Sequence, residues 1–429
     1  MNKNKIIFVF IISVIVIGSI IGTVFFLQRD TAPAETTPLV QRDTNEDFFP
    51  TGGSSGIPSG RQTGDQRQPE TTGVFPETPD TTVSGTGNIK KMTQTSVASV
   101  YFINKNGGNP SLRYIEKGTG HINEISFDER IPTKVTNTTI TAIQDAKWGE
   151  NGEVVILRRT DGNSNNIQTI YGTIEESSDL ADVEAGVKKI NGHILPPNTI
   201  DFDISPDQKK IFYLIRNGDS VVGSISDMTK SKPSEKMTQV WASPMREWQI
   251  AWSSNNQISL TNKPSYNSKG NLFSISLNKA NSFDKEIGNI TGLTALMNNK
   301  GNVIVYTETT GTGFMTFNHN KNGGEVKVFP VRTLAEKCVF SKINENIIYC
   351  GVPSVIIGAN YPDAWYQGVR SFSDSIWEID LELNTGRVII DNNAFPEEAD
   401  IINPVVSEDE NYFGFINKKD NTLWIAKIK

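Results

Sequence analysis

Cysteine, histidine and positive charge are all scarce in this chain. Two cysteines and three histidines (His121, His193, His319) in 429 residues leave little material for a soft-metal centre. A net charge of −7 provides no basic face, so nucleic acid is excluded as the expected partner. Zincin motifs, phosphate-binding Gly loops followed by Lys, EF-hand loops and Ser-His-Asp sets with supporting context are missing as well. These gaps predict no catalytic set, no metal and no cofactor. Apolar residues are 37% of the chain, below the usual range of about 45–50%. That deficit is concentrated in one segment near the N-terminus.

Ahead of that segment lies the one long apolar run, Ile6 to Leu27. At about 1.5 Å per residue it spans about 33 Å as a helix, enough for a hydrocarbon core of about 30 Å. Lys3 and Lys5 precede it, and only Arg29, next to Asp30, follows. The charge bias therefore predicts a single-pass anchor over residues 1–27, with the N-terminus cytoplasmic and the remainder outside the cytoplasm. The rival reading is a signal peptide cleaved at Ala32-Pro33-Ala34, but a signal core runs only about 7–15 residues. Either reading exports the downstream domain. Gly18 and Gly22 form a small-xxx-small pair, which is also ordinary membrane-helix composition.

Residues 28–88 are roughly half Pro, Gly, Ser and Thr, too poor in apolar side chains to offset the entropy of ordering. The expected structure is a disordered stalk spanning on the order of 40 Å. Within it, Gly52-Gly53-Ser54-Ser55-Gly56 matches the G-x-S-x-G pattern by chance, without the strand-turn-helix that gives the motif meaning.

From residue 89 to 429 a β-rich unit repeats. Short apolar runs recur at Val154–Leu157, Ile211–Leu214, Ile258–Leu260, Val303–Tyr306, Ile347–Cys350 and Tyr412–Phe415. They lie about 44 to 65 residues apart, near the propeller-blade period of about 40–50 with insertions. A polar turn and a shorter apolar strand precede several of them, as in Ala146-Lys147-Trp148 and Phe202-Asp203-Ile204. An alternating strand follows in Leu272–Leu277, Ile376–Leu381 and Leu423–Ile428. Val97 to Phe127 supplies one more set. The expectation is an all-β fold, a seven-bladed β-propeller, with six or eight blades or two stacked sandwiches as alternatives. The last set lacks a fourth strand, and Asn88–Met92 is positioned to supply it and close the ring.

Ile204-Ser205-Pro206-Asp207 followed by Ile211-Phe212-Tyr213 resembles the hairpin of the WD-like repeats in TolB-type bacterial propellers, with Gln208 where that family usually has Gly. The resemblance implies the propeller fold and a binding role, without fixing a partner.

Three groups of residues stand out. Cys338 and Cys350 flank a hairpin centred near Asn344, where antiparallel pairing sets them face to face. Outside the cytoplasm a structural disulfide is expected, and two buried thiols are the alternative. The long insertion Gly351–Asp374 carries Tyr361, Asp363, Trp365, Tyr366 and Arg370, a composition suited to a contact surface or to a self-packed plug. Asp145 and Asp201 both lie three residues before an inner-strand apolar residue, near the channel mouth. There they could serve acid–base chemistry, hold a cation, or simply cap a turn. The function expected is that of an exported, membrane-tethered module binding a protein or surface polymer. The alternative is an exported hydrolase of cell-surface polymer with its site over the channel.

Overall fold

A computed structural model of the protein describes residues 87–429, apart from 105–108, 163–165, 229–235 and 359. The Ile6–Leu27 run and nearly all of the stalk lie outside the described residues. Among the described residues no helix is long and apolar enough to cross a membrane.

Seven four-stranded antiparallel sheets make up the fold. Six of them are built from four consecutive strands, with inner strands Val97–Ile103, Ile143–Gly149, Thr199–Ile204, Trp248–Ser254, Thr294–Met297 and Cys338–Phe340. Those are the first to sixth blades. The seventh combines Ile401–Val406, Tyr412–Asn417 and Leu423–Lys427 with the N-terminal strand Ile89–Lys91. Seven sheets of this size rule out stacked sandwiches and fix the blade number.

The repeated apolar runs are the second strands, such as Val154–Thr160 and Lys210–Asn217. Each is covered on both faces by a neighbouring blade, so its sequence is continuously apolar instead of alternating. Val154 through Leu157 are all buried. The core is accordingly divided into seven apolar clusters, each shared by two adjacent blades, and the last joins the seventh blade to the first. Closure is made by Ile89–Lys91, which pairs Ile89 with Ala426 and Lys91 with Trp424. Lys91 adds ion pairs to Glu397 at 3.0 Å and Asp420 at 2.9 Å. In the sixth blade Cys338 and Cys350 are cross-strand partners, joined as a disulfide.

Two of the turns after inner strands are the same device. In Ser205–Gln208 and Ser407–Glu410 the serine hydroxyl donates to the aspartate two residues on, at 2.6 Å in both. The fourth residue then has positive φ, 58° at Gln208 and 53° at Glu410. Glycine would adopt this conformation without strain. The longer side chains instead stitch blades together. Gln208 donates to Tyr101 of the first blade at 2.8 Å and accepts from the Asn151 N–H at 2.6 Å. Glu410 accepts from Ser341 Oγ, from the Lys342 N–H at 2.8 Å, from Tyr349 Oη at 3.0 Å and from Lys429 Nζ at 3.0 Å.

Burial alone would push the Glu410 carboxyl up, but the bonds from Ser341 and Lys429 outweigh it and hold the group at about 2, below its ordinary 4.5. A depressed carboxyl stabilises the fold above its unfolded value and loses that contribution as pH falls through the folded value. Wild type is therefore expected to lose stability between about pH 4.5 and about pH 2 more steeply than Glu410→Gln. Chemical denaturation across that range measures the difference, and parallel profiles would contradict the assignment.

Candidate functional site

The insertion of the sixth blade is a strap. It leaves the strand Ile347–Pro353, forms a short helical turn at Asp363–Tyr366, and returns at the strand Asp374–Asp380. On the way it crosses the fifth blade and reaches the fourth. Thr309 donates its hydroxyl to the Tyr361 carbonyl. Gly292, at φ +63°, is what permits this approach, because a Cβ there would lie 2.9 Å from the Tyr361 oxygen. Asp363 accepts from Ser265 Oγ at 3.0 Å and from the Tyr266 N–H at 3.2 Å, both on the fourth blade.

The aromatic residues of the strap mostly face inward. Tyr361, Trp365 and Phe372 pack with Phe314 and Leu334 into an eighth apolar cluster, and Trp365 is only 3% exposed. The expectation that Tyr361 and Trp365 form part of a contact surface is corrected: apolar area this large is more stable covered than wet, and the top of the fifth blade offers the cover. Asp363 is likewise engaged in fastening the strap. Tyr366 and Arg370 remain at the surface, Tyr366 at 37%. The same strap also exposes Val355 at 61%, Ile357 at 60% and Val369 at 70%.

Beneath the strap sits a charged cluster that the sequence reading did not identify. Lys337 precedes the inner strand of the sixth blade, and Asp400 precedes that of the seventh. Asp374 opens the strand where the strap returns. The Lys337 Nζ lies 2.5 Å from Asp400 and 2.8 Å from Asp374, with all three side chains fully buried. Asp400 also accepts from the Trp365 indole N–H and from the Phe372 N–H at 3.0 Å. Burial pushes Asp374 up to about 6, opposed by Lys337 and assisted by Asp400. Nearby, the Tyr366 hydroxyl donates to Glu336 at 2.5 Å, and Gln249 of the fourth blade donates to the same carboxylate at 2.8 Å. Burial pushes Glu336 up, against the bonds from Tyr366 and Gln249.

The carboxylates of the channel wall are committed. Asp145 and Asp201 occupy equivalent positions, each just after a bulge in its inner strand, and each accepts from the next backbone N–H at 2.9 Å. Asp201 also pairs with Arg158 at 3.2 Å and faces the Ile250 N–H. Asp203 pairs with Lys147 at 2.5 Å and accepts from the Trp252 N–H at 2.7 Å. Inner strands have one unpaired edge, and Asp201 and Asp203 satisfy two of its donors across the gap from the third blade to the fourth. Burial pushes Asp201 up, with Lys147 and Arg158 opposing. The arrangement serves the ring and leaves Asp201 without the freedom a general base needs. Towards the opposite rim, Tyr101, Asp145, Lys147 and Gln208 line a cavity of about 330 Å³. Among the described residues, no group of three or more His, Cys, Asp or Glu is arranged to hold a metal ion.

No family model and no curated protein matches this chain. Solved structures do. An oligogalacturonate lyase in complex with manganese is similar at a TM-score of 0.52 and 9% identity, over 81% of this chain and 95% of that one. The β-propeller domain of the Trilobed protease from Pyrococcus furiosus aligns at 0.47 and 10% identity, over 77% and 95%. TolB from Acinetobacter baumannii aligns at 0.39 and 9% identity, over 67% and 62%. At such identities the likeness concerns the fold alone, and the fold is that of a seven-bladed β-propeller.

Proposed function

We propose that the chain is an exported, membrane-tethered propeller that acts as a binding platform for a protein or surface-polymer partner, contacted through the strap. One observation carries this reading. Val355, Ile357, Tyr366 and Val369 are each exposed on one segment whose other large side chains are pinned to the blades beneath it. Several exposed apolar residues on one pinned segment, with an exposed aromatic and an arginine among them, favour an interaction surface. Tethering through Ile6–Leu27 and export of the domain rest on the apolar run and the lysines before it. The hydrolase reading is weaker, because the Asp201 and Asp203 carboxylates are held by Arg158, Lys147 and backbone donors.

Crosslinking on intact membranes tests the proposal. Ile357→Asp and Val369→Asp are expected to keep the wild-type melting temperature, since neither residue is buried, and to lose most of the crosslinked partner. Unchanged capture by both variants would refute the strap as the contact surface.

A further inference from the structure

Lys337, Asp374 and Asp400 bring an amine and two carboxyl groups together in a site with no exposure to solvent. Three buried charges of net −1 are costly, and their attraction repays that cost only in part. Condensing the amine with one carboxylate would remove two of them. We propose that Lys337 and Asp400 are joined autocatalytically by an amide bond between Nζ and Cγ, with Asp374 as the proton shuttle. This proposal goes beyond the binding role and does not depend on it.

The geometry assigns each part. Nζ lies 2.5 Å from Asp400 Oδ1, a hydrogen-bond contact that holds the amine against the carboxyl group whose Cγ it attacks. Asp400 Oδ2 accepts from the Phe372 N–H at 3.0 Å and from the Trp365 Nε1–H at 3.0 Å. Two fixed donors therefore point at the oxygen on which charge gathers when nitrogen adds to the carbon. Asp374 Oδ2 is 2.8 Å from Nζ and also accepts from the Ile401 N–H at 2.7 Å, while its Oδ1 is buried without a partner. A carboxyl held at about 6 can both take and return a proton near neutral pH. The Trp365 and Phe372 rings, 5.0 and 5.2 Å from Nζ, exclude water from the site. Lys418 Nζ lies 5.3 Å from the centre of the same Trp365 ring.

The step balances without a co-reactant. The Lys337 ammonium gives one proton to Asp400 Oδ1, leaving a neutral amine and a neutral acid. Nζ then attacks Cγ, and the new bond places negative charge on Oδ2 and positive charge on nitrogen. Asp374 takes a proton from nitrogen and passes it to Oδ1. The C–Oδ1 bond breaks, one water leaves, and the amide remains.

Mass spectrometry of the full chain, purified from membranes in detergent, decides the matter. The intact protein is expected to be lighter than its sequence by one water, beyond the two hydrogens of the disulfide. Digestion is expected to release a branched peptide linking Lys337 to Asp400. Lys337→Arg and Asp400→Ala should restore the full mass, and Asp374→Asn should restore it while retaining the amine and its target. Should any variant fail to fold, the wild-type digest still decides. Separate, unmodified Lys337 and Asp400 peptides from folded wild type would overturn the proposal, as would a branch to Asp374 instead.

Discussion

Trp365→Ala is expected to destabilise the protein by about 3–5 kcal/mol, the cost of truncating a buried tryptophan. Three losses combine in that change. The indole leaves a void between Phe372 and Lys337 Nζ, which sits 5.0 Å over its ring. Asp400 loses a donor that reaches both of its oxygens, at 3.1 and 3.0 Å. The strap loses the inward anchor that holds Tyr366 against Glu336. Trp365→Phe should recover most of the packing and none of the hydrogen bonding, and so fall between. Val369→Ala, at an exposed position, should stay within about 0.5 kcal/mol of wild type. Denaturant unfolding of the four proteins side by side gives the ordering. A wild-type-like Trp365→Ala would mean that the strap is not seated as described.

Removing the closing strand is expected to have an effect at least as large. A chain beginning at Thr93 lacks Ile89 and Met92, both buried, and each such side chain is worth about 2–5 kcal/mol by truncation. It also lacks the bonds from the Met92 N–H to Leu423 and from the Lys427 N–H to Asn88, both 2.7 Å. The strand Leu423–Lys427 would then present an open apolar edge, which templates aggregation. A chain beginning at Gly87 should fold to a monomer with a single cooperative transition, whereas the chain from Thr93 should be largely aggregated. Light scattering and thermal melts distinguish the two. Equal behaviour would show that the ring holds without its N-terminal strand.

The blades were legible because each structural layer leaves its own pattern. Second strands are buried on both faces and read as unbroken apolar runs, and third strands read as alternation. The missing fourth strand of the last set pointed to Ile89–Lys91, since an incomplete blade must be completed from somewhere. Cys338 and Cys350 could be set face to face from hairpin arithmetic, and the bond between them was expected from the compartment. The site was less legible. Whether Trp365 faces water depends on what lies beneath it, and Lys337, Asp374 and Asp400 come from three separate connections whose convergence no local pattern encodes. Asp145 and Asp201 do occupy equivalent positions after a bulge, but the capping of the fourth blade's inner-strand donors by Asp201 and Asp203 is a property of the closed ring. The Glu410 stitch did carry a signal, for Ser407-x-Asp409 repeats Ser205-x-Asp207 with a long polar residue next in both.

Hydroxyl-radical footprinting of the chain on intact membranes, set against the purified protein, reads out contact through the strap. If the strap carries the partner, then Ile357, Tyr366 and Val369 should label readily in the purified chain and be protected on membranes. Trp365, covered by its own fold, should stay unlabelled in both. Protection confined to the opposite rim, around Tyr101 and Gln208, with the strap equally labelled in both samples, would contradict contact through the strap.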